Sequence, residues 1–149
     1  MLEKYIDWDK VIIELLRNRK DNQIAMENLR DQYRTISKAM EVAGVSDYSK
    51  DRIIGTAVKK QDAMVNQLLQ KEAIETKLRE LIREEKQYQR AWEGLGQEDR
   101  CILQEFFQGE HRSAQQAIDH LCDQYGYERA TIYRMRAAAL KRFKRLLAG

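Results

Sequence analysis

Two long stretches of this chain repeat apolar side chains at steps of four and three, strictly alternating in the first, and the chain contains no proline to interrupt them. In the first, Trp8, Ile12, Leu15, Met26, Leu29, Tyr33, Ile36 and Met40 keep one stripe for about 33 residues, with Arg19 and Asn22 in the two intervening slots. This is a heptad seam, which commits the segment to a long helix facing another helix. The second runs from near Ile54 or Ala57 to Trp92. Its seam is Met64, Leu68, Ile74, Leu78, Leu81, Tyr88 and Trp92, with Lys71 and Glu85 as polar members. Each is about 50 Å long at ~1.5 Å per residue. Gly44, followed by Val45-Ser46-Asp47, supplies a cap and turn between them. Equal helices on a short connection favour an antiparallel hairpin, and neither can bury its stripe alone. Asn22 reads as a register device within that seam.

Glu93-Gly94-Leu95-Gly96 breaks the second helix and divides the chain into a hairpin domain, 1–93, and a C-terminal domain, 94–149. The two glycines are expected to form a pivot. A short helix follows, with Gln97, Glu98 and Asp99 in the first turn, where acids suit the helix dipole. Ile102, Leu103, Phe106 and Phe107 form its apolar face, and Gly109 ends it. These side chains supply the core beneath what comes next.

Residues 113–147 read as helix, tight turn, helix. Ser113 is an N-cap with Gln116 three residues on, as in a capping box. Ala117, Ile118, Leu121 and Tyr125 share one side, and Gly126 stands where a left-handed residue ends a helix without steric cost. The last helix carries Ile132, Met135, Ala139, Leu140, Phe143 and Leu147 on its apolar stripe. Arg129, Tyr133, Arg134, Arg136 and Lys141 lie mostly off it.

Charge is polarised along this region. From 128 to 149 seven Lys/Arg face one acid, a net of +6, whereas 94–127 has two bases and six acids, a net of −4. Terminal cations complement a helix dipole, which accounts for Lys141 to Arg145. Arg129 and Arg134 in the first turns oppose that dipole, so attraction to phosphate is the better account of them. This is the pattern of a helix-turn-helix whose second helix lies in a DNA major groove.

The stretch LGQEDRCILQEFFQGEHRSAQQAIDHLCDQYGYERATIYRMRAAALKRFKRLL, about the last 55 residues, resembles region four of bacterial sigma factors. It is more similar still to the sigma-like ArpU/RinA-type late-gene activators of phages and prophages of Gram-positive bacteria. The strongest element is Gly126-Tyr127-Glu128-Arg129-Ala130-Thr131-Ile132-Tyr133-Arg134-Met135, continuing to Ala139-Leu140-Lys141-Arg142-Phe143. The resemblance implies a sequence-specific DNA-binding transcriptional regulator with base-reading positions at Arg129, Ala130, Tyr133 and Arg134. Glu128 stands where that family has a capping Ser/Thr, Ala130 replaces an acidic reader, and the first helix of the motif is about a turn longer. The resemblance therefore carries the fold, without implying a sigma-type −35 sequence.

By side-chain chemistry, Arg129 and Arg134 can each present two parallel N–H donors to guanine O6 and N7. Tyr133 can donate to a phosphate or lie on a thymine methyl. Arg136, Lys141, Arg142, Lys144 and Arg145 suit phosphates, which add affinity without sequence information. Thr131 is read equally as a phosphate donor or a helix-surface residue.

Other chemistries find little support. Cys101, Cys122, His111 and His120 include no CxxC pair, and His120 and Cys122 point apart on one helix, so no metal or other cofactor is expected and two reduced cysteines are. There is no phosphate-cradling glycine loop, HExxH or nucleophile elbow, so the chain does not read as an enzyme and no catalytic residue is assigned. No apolar run approaches the ~20 residues that span a bilayer. The start MLEKYIDWDK lacks the features of a signal peptide, so a cytoplasmic location is expected.

The sequence thus predicts an all-α protein: a long antiparallel helical hairpin followed by a sigma region-four-like helix-turn-helix domain. Its partners would be double-stranded DNA, with RNA polymerase or a second copy meeting the N-terminal helices, and no membrane. The aromatic end at Tyr5, Ile6 and Trp8 is open to two readings, self-association or packing onto the C-terminal domain through Trp92 and Leu95. Two other functions stay open: a coiled-coil adaptor that binds polymerase or a sigma factor without touching DNA, and a phage packaging-recognition subunit that assembles into rings.

Overall fold

The computed structural model describes residues 6–43, 54–109 and 113–149. Among them there are six α-helices and no strand. These are α1 (Trp8–Arg17), α2 (Arg19–Ala43), α3 (Ile54–Gly94), α4 (Gln97–Leu103), α5 (Ala114–Tyr125) and α6 (Arg129–Ala148). A π-helical turn, Gln104–Gln108, extends α4 and ends at Gly109 in extended backbone. The expected all-α class is therefore present. α2 and α3 run antiparallel: Arg19 meets Glu85, and fourteen residues further along α2 Tyr33 lies beside Lys71, fourteen residues earlier on α3. The Gly44 cap, Tyr5 and His111 lie outside the described residues. Among those described, no helix is long and apolar enough to cross a membrane.

The first seam is two helices, not one. Asn18 stands between α1 and α2 at φ −92°, ψ 9°, donating to Glu14 O at 2.9 Å and accepting from Asn22 N at 2.8 Å. Asparagine is a poor helix-interior residue because its short amide competes with the backbone. Asn22, the expected buried register device, is exposed. Arg19 makes the polar link instead, because its longer side chain reaches across. Its guanidinium bonds Glu85 and, at 3.2 Å, Gln89 Oε1, and it lies 4.2 Å over the Tyr88 ring.

The chain divides into two compact units, Met1–Asn22 with Glu85–Gly149, and Gln23–Glu84. The first includes α1 and the end of α3 along with residues 94–149. Ile12 and Leu16 of α1 are buried with Tyr88, Ala91, Leu95, Leu103, Ala139 and Phe143. Packing of the N-terminal helix onto the C-terminal segment is thus present. Phe143 is fully buried, edge-on to Tyr88 at 5.4 Å and to Trp92 at 6.0 Å, while those two rings stack at 6.0 Å. Edge-to-face contacts of this kind add to the area buried. Burial also raises the pKa of the Tyr88 phenol, whose oxygen accepts from Gln108 Nε2 at 2.9 Å. A smaller cluster joins Ile118 and Leu121 of α5 to Ile132 of α6.

The Gly94–Gly96 junction is packed rather than a pivot. Leu95 is buried in the main cluster, and a Cβ on Gly94 would stand 3.2 Å from a Leu146 methyl. In the second unit, by contrast, α2 and α3 leave every described residue at least partly exposed. Met26, Leu29, Tyr33 and Ile36 are half-buried, as are Met64, Ile74 and Leu78; Leu68, expected in the seam, is exposed.

Two substitutions test this packing. Phe143→Ala is expected to cost about 3–5 kcal/mol in denaturant unfolding, through lost burial and a cavity between three helices. Gly126→Ala is expected to cost about 1–2 kcal/mol, because its φ of 71° lies in the left-handed region that a Cβ disfavours.

Candidate nucleic-acid interface

The site is built on α5. Ser113, in extended backbone, accepts from Gln116 N at 3.3 Å through its side chain, as the sequence predicts. Ala117, Ile118 and Leu121 turn inward and are fully buried. Gly126 then takes φ 71°, ψ 17°, and its N–H bonds Cys122 O at 2.8 Å. Tyr125 departs from its expected inward place: it is partly exposed and stacks on Tyr127 at 6.2 Å. Its hydroxyl hydrogen-bonds with Cys101, which pushes the phenol pKa up. Both cysteines are free thiols and half-buried.

Three residues separate α5 from α6, and Glu128 caps α6 without a side-chain hydrogen bond. The apolar stripe of α6 sets its rotation. Ile132, Ala139 and Phe143 are fully buried, and Met135, Leu140 and Leu147 are half-buried. Opposite them, Ala130, Tyr133, Arg134, Ala137, Lys141 and Arg145 are exposed. Counting ~100° per residue, these six form one outward strip.

The cations of α6 divide into two groups. Arg129 donates to Asp119 Oδ1 of α5 at 2.6 Å, and the Gln115 carboxamide, with its oxygen turned inward, accepts from Arg129 Nη1 at 2.8 Å. Arg136 is half-buried, 4.9 Å over the Phe106 ring and 5.2 Å from that of Tyr133. Arg142 pairs with Asp99 of α4, whose side chain is 10% exposed. Lys144 lies 3.5 Å from Asp9 of α1. These four bind α6 to its own protein. Arg134, Lys141 and Arg145 are exposed and make no ion pair with any described residue. Arg134 donates from Nε to Ala130 O at 3.3 Å, back along the helix.

Of the ten positions that the sequence assigns to DNA, the outward strip therefore holds Ala130, Tyr133, Arg134, Lys141 and Arg145. Arg129 lies at its edge, held by α5. Thr131 is half-buried, and Arg136 and Arg142 have partners within the fold. The anchoring role of Asp99 is missed by reading it only as a first-turn acid. Its signal is spacing: Asp99 stands three and four residues before Ile102 and Leu103, on the apolar face of α4. A shallow groove at the turn is lined by Asp119, Asp123, Tyr127, Glu128, Arg129 and Ala130. Its carboxylates make the approach to the start of α6 acidic, and they favour the positive end of that helix.

A family model described as Protein of unknown function (DUF1492) matches residues 42–144. The match takes in α3 through most of α6, so it extends well upstream of the helix-turn-helix. No curated protein and no solved structure matches the chain.

The division of cations predicts unequal stability effects for neighbours on one helix. Arg142→Ala leaves the buried Asp99 carboxylate without its donor and is expected to cost about 1–3 kcal/mol. Lys141→Ala is expected to stay within about 0.5 kcal/mol of the parent. Thermal unfolding of the two variants side by side measures the difference.

Proposed function

The chain belongs to the DUF1492 family, and we propose that it is a sequence-specific binder of double-stranded DNA that regulates transcription, with α6 entering the major groove. The observation that carries this reading is the outward strip of α6. It combines three cations that form an ion pair with no described residue with small side chains at Ala130 and Ala137. An α-helix with its side chains is about 10–12 Å across and the major groove about 12 Å wide, so the alanines let the backbone approach the base edges.

The roles follow from chemistry and position. Arg134, near the start of the strip, offers a guanidinium to guanine O6 and N7. Tyr133 beside it donates to a phosphate or meets a thymine methyl. Lys141 and Arg145, two and three turns on, contact phosphates. Arg129 has its donors engaged by Asp119 and Gln115, so we assign it to holding α6 against α5 in the free protein. The acidic rim at the turn repels phosphate, which favours phosphate contacts at Lys141 and Arg145 over contacts at the turn itself. The resemblance to sigma-like late-gene activators supports transcription control, of phage or prophage genes in particular.

Fluorescence anisotropy on a site selected from a genomic fragment pool tests the proposal. Arg134→Ala is expected to reduce discrimination against a mismatched guanine by roughly 1–3 kcal/mol, about 5- to 150-fold. Lys141→Ala is expected to weaken all sequences alike and lower the slope of log affinity against log salt by about 1. A salt-independent affinity would overturn the proposal and favour an adaptor that binds protein alone.

A further inference from the structure

Arg129 opens α6 and is held by two residues one turn apart on α5. Its Nη2 donates to Asp119 Oδ1 at 2.6 Å, and the Gln115 carboxamide oxygen accepts from Nη1, at 2.8 Å, and from Nη2 as well. This grip differs in kind from that of Arg142 on Asp99. The Arg129 and Asp119 side chains are 53% and 54% exposed, against 10% for Asp99. An ion pair so open to water adds little to stability and exchanges readily for another acceptor. A cation in the first turn also opposes the helix dipole, so this is a poor place for a purely structural charge.

The geometry of the grip decides what Arg129 can do while held. A guanidinium presents two parallel donors along either of two edges, Nη1 with Nη2 or Nε with Nη2. Both edges need an Nη2 hydrogen, and Nη2 has its hydrogens engaged by Asp119 and Gln115. Arg129 therefore grips guanine O6 and N7 only after leaving α5. The groove beside it discriminates among the acceptors that compete for it. Asp119, Asp123 and Glu128 line that groove and repel a phosphate, whereas a guanine edge carries no net charge. On the reading of α6 as a groove helix, we infer that Asp119 is a specificity-determining residue. It competes with DNA for Arg129, withholds it from phosphates, and yields it to a guanine edge that takes the place of Asp119 and Gln115.

Fluorescence anisotropy with the full chain, on the selected site and on an unrelated duplex of equal length, tests this across a range of salt. Asp119→Ala is expected to tighten binding to the unrelated duplex by about 3- to 10-fold at ~0.1 M salt. The slope of log affinity against log salt is expected to steepen by about 1, as one more phosphate is neutralised. Preference for the selected site falls by a similar factor. Alanine suits an exposed helix interior, so helical circular dichroism is expected to be unchanged. Gln115→Ala is expected to act in the same direction, less strongly, and decides the matter should Asp119→Ala lose helicity. Asp123→Ala removes an equal charge from the same groove with no ion pair to Arg129, and is expected to leave the preference unchanged. In an Arg129→Ala background, Asp119→Ala is expected to change neither slope nor preference. An Asp119→Ala chain that keeps the parent's slope and preference, or one whose changes persist without Arg129, would overturn the assignment. Lys141→Ala tells that failure from a failure of DNA binding itself, since it lowers the slope whenever α6 meets phosphate.

Discussion

Phe143 is where the first unit is held together. Its ring belongs to α6, yet it is sealed by Tyr88 and Trp92 of α3 and by the α1 residues beside them. Close packing of this kind permits little sliding, because a shift of one helix opens a void against two others. The rotation of α6 follows. With Phe143, Ala139 and Ile132 turned inward, Arg134, Lys141 and Arg145 have no direction left but outward. An apolar contact thus fixes which charges meet solvent.

Charge within α6 then does two different things. Arg142 reaches a carboxylate that is almost out of water, Arg129 reaches across to α5, and Arg136 lies on aromatic rings. The Asp99 pair matters chiefly because a buried carboxylate without a donor is costly. The exposed Arg129–Asp119 pair contributes less to stability and more to orientation. A helix with +6 in its segment therefore presents only about half of its cations outward, so net charge overstates its electrostatic surface.

Much of the fold is legible in the residues. Ser113 and Gly126 bound α5 as a cap and a left-handed stop, each a local steric or hydrogen-bonding rule that needs no neighbour. The end of α3 at Gly94 and the start of α4 after Gly96 are local in the same sense. The interruption at Asn18 is less visible, since the seam keeps its spacing on both sides. The π-helical turn after Leu103 gives no compositional sign at all. At the interface, the apolar stripe of α6 foretells Tyr133, Arg134 and Lys141 as outward. It does not foretell that Arg136 and Arg142 are tied down, because their partners lie thirty and forty-three residues away on other helices.

The sequence by itself determined that this chain is helical, where most helices begin and end, and which stripe of each seeks an apolar neighbour. Those properties depend on backbone sterics and on periodicity within a few turns. Only the tertiary structure decided which neighbour each stripe found: that α1 packs with the end of α3 and α6, that Arg19 rather than Asn22 bridges α2 and α3, and which cations of α6 remain exposed. Many pairings satisfy the same apolar pattern, and the choice among them rests on shape and charge contacts between residues far apart in the chain.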